Sequence, residues 1–211
     1  MPEFDAPKMQ EMKKSFISIC ETIARPGMEG LMSWLERSDF YTAPASTQFH
    51  GNYEGGLLEH SLNVYDKLSD FVSRYPHLGI PSETVAVTAL FHDLCKVNTY
   101  ASDFRNVKIY SANGSRSDAK GRYNWESQPV FKFDDPLPLG HGEKSVIILQ
   151  SYIRLTRDEI YAIRWHMGAW DSAVKGGERG VSKAFELCPL AVMTHLADME
   201  ATYLTEARNK P

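Results

Sequence analysis

The stretch Phe91-His92-Asp93-Leu94-Cys95-Lys96 closes a segment whose apolar members include Val85, Ala86, Ala89 and Leu90. Residues 83–97 read as one helix, with Ser82 as N-cap and Glu83 as an acidic first turn. A His-Asp pair at the end of so apolar a helix needs a reason to be there, because an unpaired polar group is costly to bury. Adjacent residues on a helix point about 100° apart. A long imidazole and a short carboxylate can still converge on an ion beside the helix flank.

Working outward, residues 56–74 form a long helix opened by Gly55-Gly56. Its apolar positions Leu57, Leu58, Leu62, Tyr65, Leu68 and Val72 follow a helical period, and His60 lies among them. Before it, residues 8–24 and 28–37 read as helices separated by Pro26-Gly27, and residues 38–56 as a loop. After the His-Asp pair, residues 142–152 and 157–166 are helical. Residues 168–180 read as a loop with Gly176-Gly177. A last helix runs from 181 to 207, with an interruption at Pro189, and carries His195 and Asp198 between Leu196-Ala197 and Met199.

Residues 98–139 break this pattern. They are rich in Ser, Asn, Gly, Asp and aromatics, and residues 107–110, 122–125 and 130–133 read as short strands of a hairpin-like insertion. Arg105, Lys108, Arg116, Lys120 and Arg122 face only Asp103 and Asp118 there, a local positive excess. A lid that attracts a phosphorylated substrate fits this, with Tyr110, Tyr123 and Trp125 available to stack on a base. An ordinary solvated hairpin anchored by its aromatics fits equally. The chain thus reads as a single mainly α domain over residues 1–211, with N-terminal helices and loop in 1–50 and the insertion in 98–139.

The bulk numbers exclude several classes. The 211 residues are 43% hydrophobic and 24% charged, as a globular protein requires. A net charge of −4 speaks against a stable nucleic-acid complex, which needs a cationic surface to displace counterions. Residues 1–5 carry no basic or apolar leader, and the longest aliphatic run, Val146 to Leu149, is too short for a bilayer. Cys20, Cys95 and Cys188 are odd in number and widely spaced, so neither a disulfide framework nor a zinc knuckle is expected. The expectation is a cytoplasmic protein with no membrane partner.

The seven histidines are His50, His60, His77, His92, His141, His166 and His195. A lone histidine is more often a core or surface residue than a ligand. His60, His92, Asp93 and Asp198 gain weight from sharing apolar helices. Imidazole with carboxylate suits divalent transition metals, or Mg²⁺ where oxygens dominate.

The ordered set Gly56-Leu57-Leu58-Glu59-His60-Ser61-Leu62, then His92-Asp93-Leu94-Cys95-Lys96, then Asp198 resembles the H…HD…D pattern of the HD-domain superfamily. Leu139-Gly140-His141-Gly142-Glu143 and Ile163-Arg164-Trp165-His166 resemble the third- and fourth-histidine segments of its two-metal branches. The likeness is nearest in flavour to the HD domain of YhaM-type 3′-to-5′ exoribonucleases, through the His166-Met167-Gly168 and Pro189…His195…Asp198 runs. Those enzymes also carry an oligonucleotide-binding β-barrel, for which this chain has no room.

The resemblance implies an HD-domain helical bundle and a metal-dependent phosphohydrolase acting on a phosphomonoester or phosphodiester, of a nucleotide or short oligonucleotide. It implies one or two ions per chain (Mn, Fe, Ni, Zn or Mg). His60, His92, Asp93 and Asp198 would hold the first, and Asp93 would bridge to a second held by His141 and His166. Asp93 and Lys96 would be catalytic, with Lys96 holding a phosphate oxygen as a point charge. His195 and His50 are candidate substrate contacts, His195 being equally readable as a core residue, and His77 reads as surface. Many members have Gly where this chain has Cys95. Two other readings stay open: a di-iron HD-domain oxygenase with the same ligands, and a non-catalytic binding module stapled by its metal.

Overall fold

The computed structural model describes residues 6–47 and 51–206. Its elements are α1 (Ala6–Cys20), α2 (Met28–Arg37), α3 (Gly56–Ser73), α4 (Ser82–Phe91), β1 (Tyr100–Tyr110), β2 (Arg116–Asp118), β3 (Gly121–Phe133), α5 (His141–Gln150), α6 (Arg157–Trp165), α7 (Ser172–Lys175), α8 (Gly180–Leu187) and α9 (Pro189–Glu200). The architecture is mainly α with one small antiparallel sheet, as the sequence pattern predicts. No described helix is long and apolar enough to cross a membrane.

α4 is the centre of the body. Every residue from Thr84 to Phe91 is buried, which is how a helix apolar on all sides must sit. On one side Ala86, Val87, Leu90 and Phe91 join Phe16, Leu31, Leu35, Leu57 and Leu58 in the larger core. On the other, Val85 and Ala89 meet Val64, Leu68, Ala191 and Ala197 in a second apolar cluster. α4 is therefore enclosed by α1, α3, α6 and α9, and its C-terminal end opens in the interior.

A buried ionic cluster fastens the opposite end. Arg25 grips Glu159 with two nitrogens, at 2.6 and 2.8 Å. Thr84 Oγ1 and the Thr156 N–H also donate to that carboxylate, at 2.9 and 2.8 Å. Thr156 and Glu159 form a capping box at the start of α6. The carboxylate, with no exposed side-chain surface, thus ties the start of α6 to α4 and to the segment after α1.

The predicted helix 83–97 stops at Phe91, with His92 as its C-cap. Asp93 adopts φ −106°, ψ 22°, and Leu94–Lys96 form a 3₁₀ turn. Ser82 is the first helical residue rather than the cap, because extended Pro81 precedes it and no side chain caps the end. The expected loop 168–180 holds a 3₁₀ turn, Gly168–Trp170, and α7, whose Ala173 N–H donates to the Asp171 side chain. The last helix is interrupted at Cys188, where Pro189 opens α9. It ends in a π-type turn over Ala201–Glu206.

The insertion is a longer ribbon than its short strand patterns suggested. β1 and β3 pair over eleven residue pairs, from Tyr100↔Phe133 to Tyr110↔Tyr123, and β2 adds to the far end of β3. Most of its residues are exposed, so burial alternation carries little signal of strand length. Its root is fixed where buried Lys144 of α5 donates to Thr99 Oγ1 at 3.0 Å and pairs with Asp135 at 2.5 Å.

Candidate metal centre

Where α4 ends, its last carbonyls lack intrahelical partners. His92 uses one: its Nδ1–H donates to Ala89 O at 2.8 Å. That fixes the ring and leaves Nε2 with a free lone pair. His166 repeats the device at the end of α6, with Nδ1–H donating to Ile163 O at 2.7 Å. His60, on α3, is held differently. Its Nδ1 faces Glu206 at 3.0 Å, and Asn63 Nδ2 donates to the same carboxylate at 3.0 Å. Three buried imidazoles are thus each tied through Nδ1, with Nε2 turned to a common centre.

Asp93 occupies that centre. Its Oδ2 lies 3.5 Å from His60 Nε2 and 3.4 Å from His92 Nε2. Its Oδ1 lies 2.8 Å from His141 Nε2 and 3.5 Å from His166 Nε2. His60 and His92 approach Nε2 to Nε2 at 3.2 Å. Asp198 of α9 meets the set at His60, with Oδ1 3.3 Å from Nε2. Lys96 Nζ pairs with Asp93 Oδ2 at 2.6 Å. The break in the helix after His92 is what lets the two adjacent side chains converge.

The residues form two triads able to hold a metal ion, His60–His92–Asp93 and Asp93–His141–His166, each with its donor atoms within 4.8 Å of one another. Asp93 belongs to both. His166 Nε2 is buried without a hydrogen-bond partner, an orphan acceptor that a cation would satisfy. The donor set of imidazole nitrogens and carboxylate oxygens therefore fits an ion.

The buried carboxylates and imidazoles set one another's ionisation. Burial works against the Asp93 carboxylate, yet Lys96 and the surrounding imidazoles hold it well below the usual range. Burial lowers His92 and His141, whereas at His166 burial is outweighed by the Asp93 carboxylate, which raises the imidazole. Burial also opposes charge on His60, but Asp198 and Glu206 outweigh it and raise that imidazole to about 10.

A cavity of about 660 Å³ opens on this centre, with Asp93, Lys96, His141, His195 and Asp198 among its lining residues. Tyr100 and Phe133, at the root of the ribbon, line it too. His195 Nδ1 donates to His166 O at 2.6 Å, and its ring lies between Trp170 and Phe185. Gly168 (φ +52°) is required beneath it: a Cβ there would stand 2.6 Å from the His195 ring. Ser46 and Thr47 line the cavity, while His50 lies outside the described residues. His77 is exposed in a 3₁₀ turn, Pro76–Leu78, as expected of a surface residue.

A stretch of 61 residues is 34% identical to the dihydroneopterin 2′,3′-cyclic phosphate phosphodiesterase of Methanocaldococcus jannaschii. The relative is a phosphodiesterase. The match covers 28% of this chain and 24% of that protein. No protein-family model matches the chain, and no solved structure matches it.

Sequence reading missed Glu206 as a partner of His60. An ideal α-helix would place it about 80° away from Asp198. The wider π turn rotates each residue less and returns Glu206 toward the site. No pattern in the sequence announces that turn. The three candidate base-stacking residues pack on one another: Tyr110–Tyr123 and Tyr123–Trp125 ring centroids are each 5.7 Å apart. Lys108 Nζ sits 4.3 Å over Tyr123 and pairs with Asp118.

Proposed function

We propose that this chain is a metal-dependent phosphohydrolase of the HD-domain type, one domain over residues 1–211, that cleaves a phosphomonoester or phosphodiester of a nucleotide or short oligonucleotide. The observation that carries the reading is the Asp93 carboxylate shared between two donor triads beside a cavity that also holds Lys96. His60, His92, Asp93 and Asp198 hold one ion, and Asp93, His141 and His166 the other. Bound divalent ions supply an acidified water and positive charge at the phosphate. The similarity to a phosphodiesterase supports the same class of reaction.

The chain's own residues do the rest. Asp93 keeps its carboxylate ionised at the shared position. Lys96, with its charge held by Asp93 despite burial, places a fixed cation against a phosphate oxygen. His195, its Nδ1 anchored to His166 O, offers the other edge of its ring to the substrate. His50 is a further substrate contact in this reading, and Ser46 and Thr47 line the cavity. The cavity suits a nucleotide-sized ligand, and the Tyr100 and Phe133 rings give a base an aromatic wall.

The test is hydrolysis of bis-p-nitrophenyl phosphate and p-nitrophenyl phosphate by the purified chain with added Mn²⁺. Turnover of either ester is expected. Oxygen consumption by a redox-active iron pair without ester turnover would instead assign the chain to the oxygenases.

A further inference from the structure

His141 is the odd member of the centre. Its side chain is 31% exposed, against 0–1% for His60, His92 and His166. Those three are each tied through Nδ1 to a backbone carbonyl or a carboxylate. Among the described residues, His141 Nδ1 meets only the Cys95 sulfur, at 3.3 Å, and sulfur is a weak hydrogen-bonding partner. The ring is therefore not oriented by its own far nitrogen, yet Nε2 stands 2.8 Å from Asp93 Oδ1.

The backbone that carries His141 supplies the constraint. His141 is the first residue of α5, and Gly140 before it brings no side-chain cap. Two residues on, Glu143 pairs with the Arg164 guanidinium of α6. Glu143 Oε2 is buried without a hydrogen-bond partner, so among the described residues the guanidinium is what holds this carboxylate. Gly142, between His141 and Glu143, presses on the same arginine: a Cβ there would stand 2.2 Å from Arg164 O. The Gly140-His141-Gly142-Glu143 run is thus a docking edge against Arg164. The guanidinium is itself fixed. Its side chain is 13% exposed, it donates to buried Asp171 at 3.0 Å, and it lies 3.8 Å over the centroid of the Trp165 ring. A planar fork of five donors can serve two carboxylates at once, as an ammonium cannot in the same geometry.

We infer that Arg164 is the positioning residue of the second ion site: through Glu143 it sets the start of α5, and with it the place of His141 opposite His166. The inference rests on the two-ion centre proposed above and assigns the residue that assembles one half of it. The guanidinium contacts Glu143, Asp171 and Trp165 rather than any donor atom. The other half, His60, His92 and Asp198, comes from α3, the end of α4 and α9, which the Arg164–Glu143 pair does not join. Its effect is therefore confined to one ion.

The experiment is calorimetric titration of the full, chelator-stripped chain with Mn²⁺. The wild type is compared with Glu143→Ala, Glu143→Gln and Arg164→Gln, each checked by circular dichroism and by its urea midpoint. The wild type should take up two ions. In Glu143→Ala and Arg164→Gln one ion should bind roughly tenfold or more weakly, with the affinity of the other unchanged. Glu143→Gln, which still accepts a hydrogen bond from the guanidinium, should lose less than Glu143→Ala. Should Arg164→Gln fail to fold, Glu143→Ala, whose side chain is 36% exposed, carries the test. Excess Mn²⁺ should restore turnover in the Glu143 variants, because the ligand is displaced and not removed, and should fail to restore it in His141→Ala. Equal weakening of both ions, in step with the urea midpoint, would reduce the pair to general stability and overturn the inference. Two ions at wild-type affinity in folded Glu143→Ala would overturn it and leave the metal centre standing. A wild type that binds fewer than two ions would overturn the two-ion centre and the inference together.

Discussion

His60 Nδ1 and Glu206 Oε1 lie 3.0 Å apart, so a carboxylate at the end of the last described turn sets the orientation of an imidazole on α3. Outer carboxylates of this kind raise ligand basicity, and their loss typically lowers metal affinity 10- to 100-fold. Glu206→Gln keeps the shape and loses the charge. Its affinity for Mn²⁺, measured by calorimetry, should fall by about tenfold or more. Wild-type affinity would mean that Glu206 only packs against the ring.

His166 belongs to one donor triad and not to the other. His166→Ala should therefore lose the second ion and retain the first, read as metal per chain by elemental analysis. Loss of no metal would mean a mononuclear site. Hydrolysis should fall with the missing ion.

The Arg25–Glu159 pair is far from this chemistry and serves stability. Removing one partner of a buried, fully bonded pair costs about 3–5 kcal/mol, so Glu159→Gln should unfold at markedly lower urea. The Glu159 carboxyl is held below its ordinary value: burial opposes its charge, but the Arg25, Thr156 and Thr84 hydrogen bonds outweigh that. Its contribution is then fully present above the unfolded value of about 4.3 and is lost as pH falls through the lower folded value. The stability gap between wild type and variant should narrow in acid. A gap independent of pH would contradict this role.

The ribbon's length gives a test that depends on substrate size. The even-numbered residues of β1 share a face with the odd-numbered residues of β3. That face runs from Tyr100 and Phe133 at the cavity, past Phe104 (69% exposed), to Lys108 and Trp125. Trp125 is paired eight residues beyond the root, about 26 Å along the strand. Phe133→Ala should raise KM for a nucleotide ester with little change in kcat. Trp125→Ala should be silent for a mononucleotide and raise KM only for an oligonucleotide, by roughly tenfold if a base stacks there. A Trp125 effect on the mononucleotide would show that the ribbon folds back over the site.

The helical periodicity of residues 56–74 and 157–166 was legible because both helices bury one continuous face, and α3 and α6 follow it. The His-Asp pair stood out because α4 is otherwise so apolar. Its break after Phe91 was not legible, since nothing local stops the helix and the backbone of Asp93 is set by its tertiary contacts. The ribbon was read too short for the opposite reason: an exposed strand leaves no alternation of burial to read. Glu206 was invisible because its position depends on a π turn.

The shared carboxylate gives the most direct test. Asp93→Ala and the wild type should be purified side by side, checked for folding, and analysed for metal per chain together with hydrolysis of bis-p-nitrophenyl phosphate. Close to two ions per wild-type chain, none in Asp93→Ala and loss of turnover are expected. Full metal content and undiminished turnover in a folded Asp93→Ala would contradict the assignment of Asp93 as the bridge between two sites.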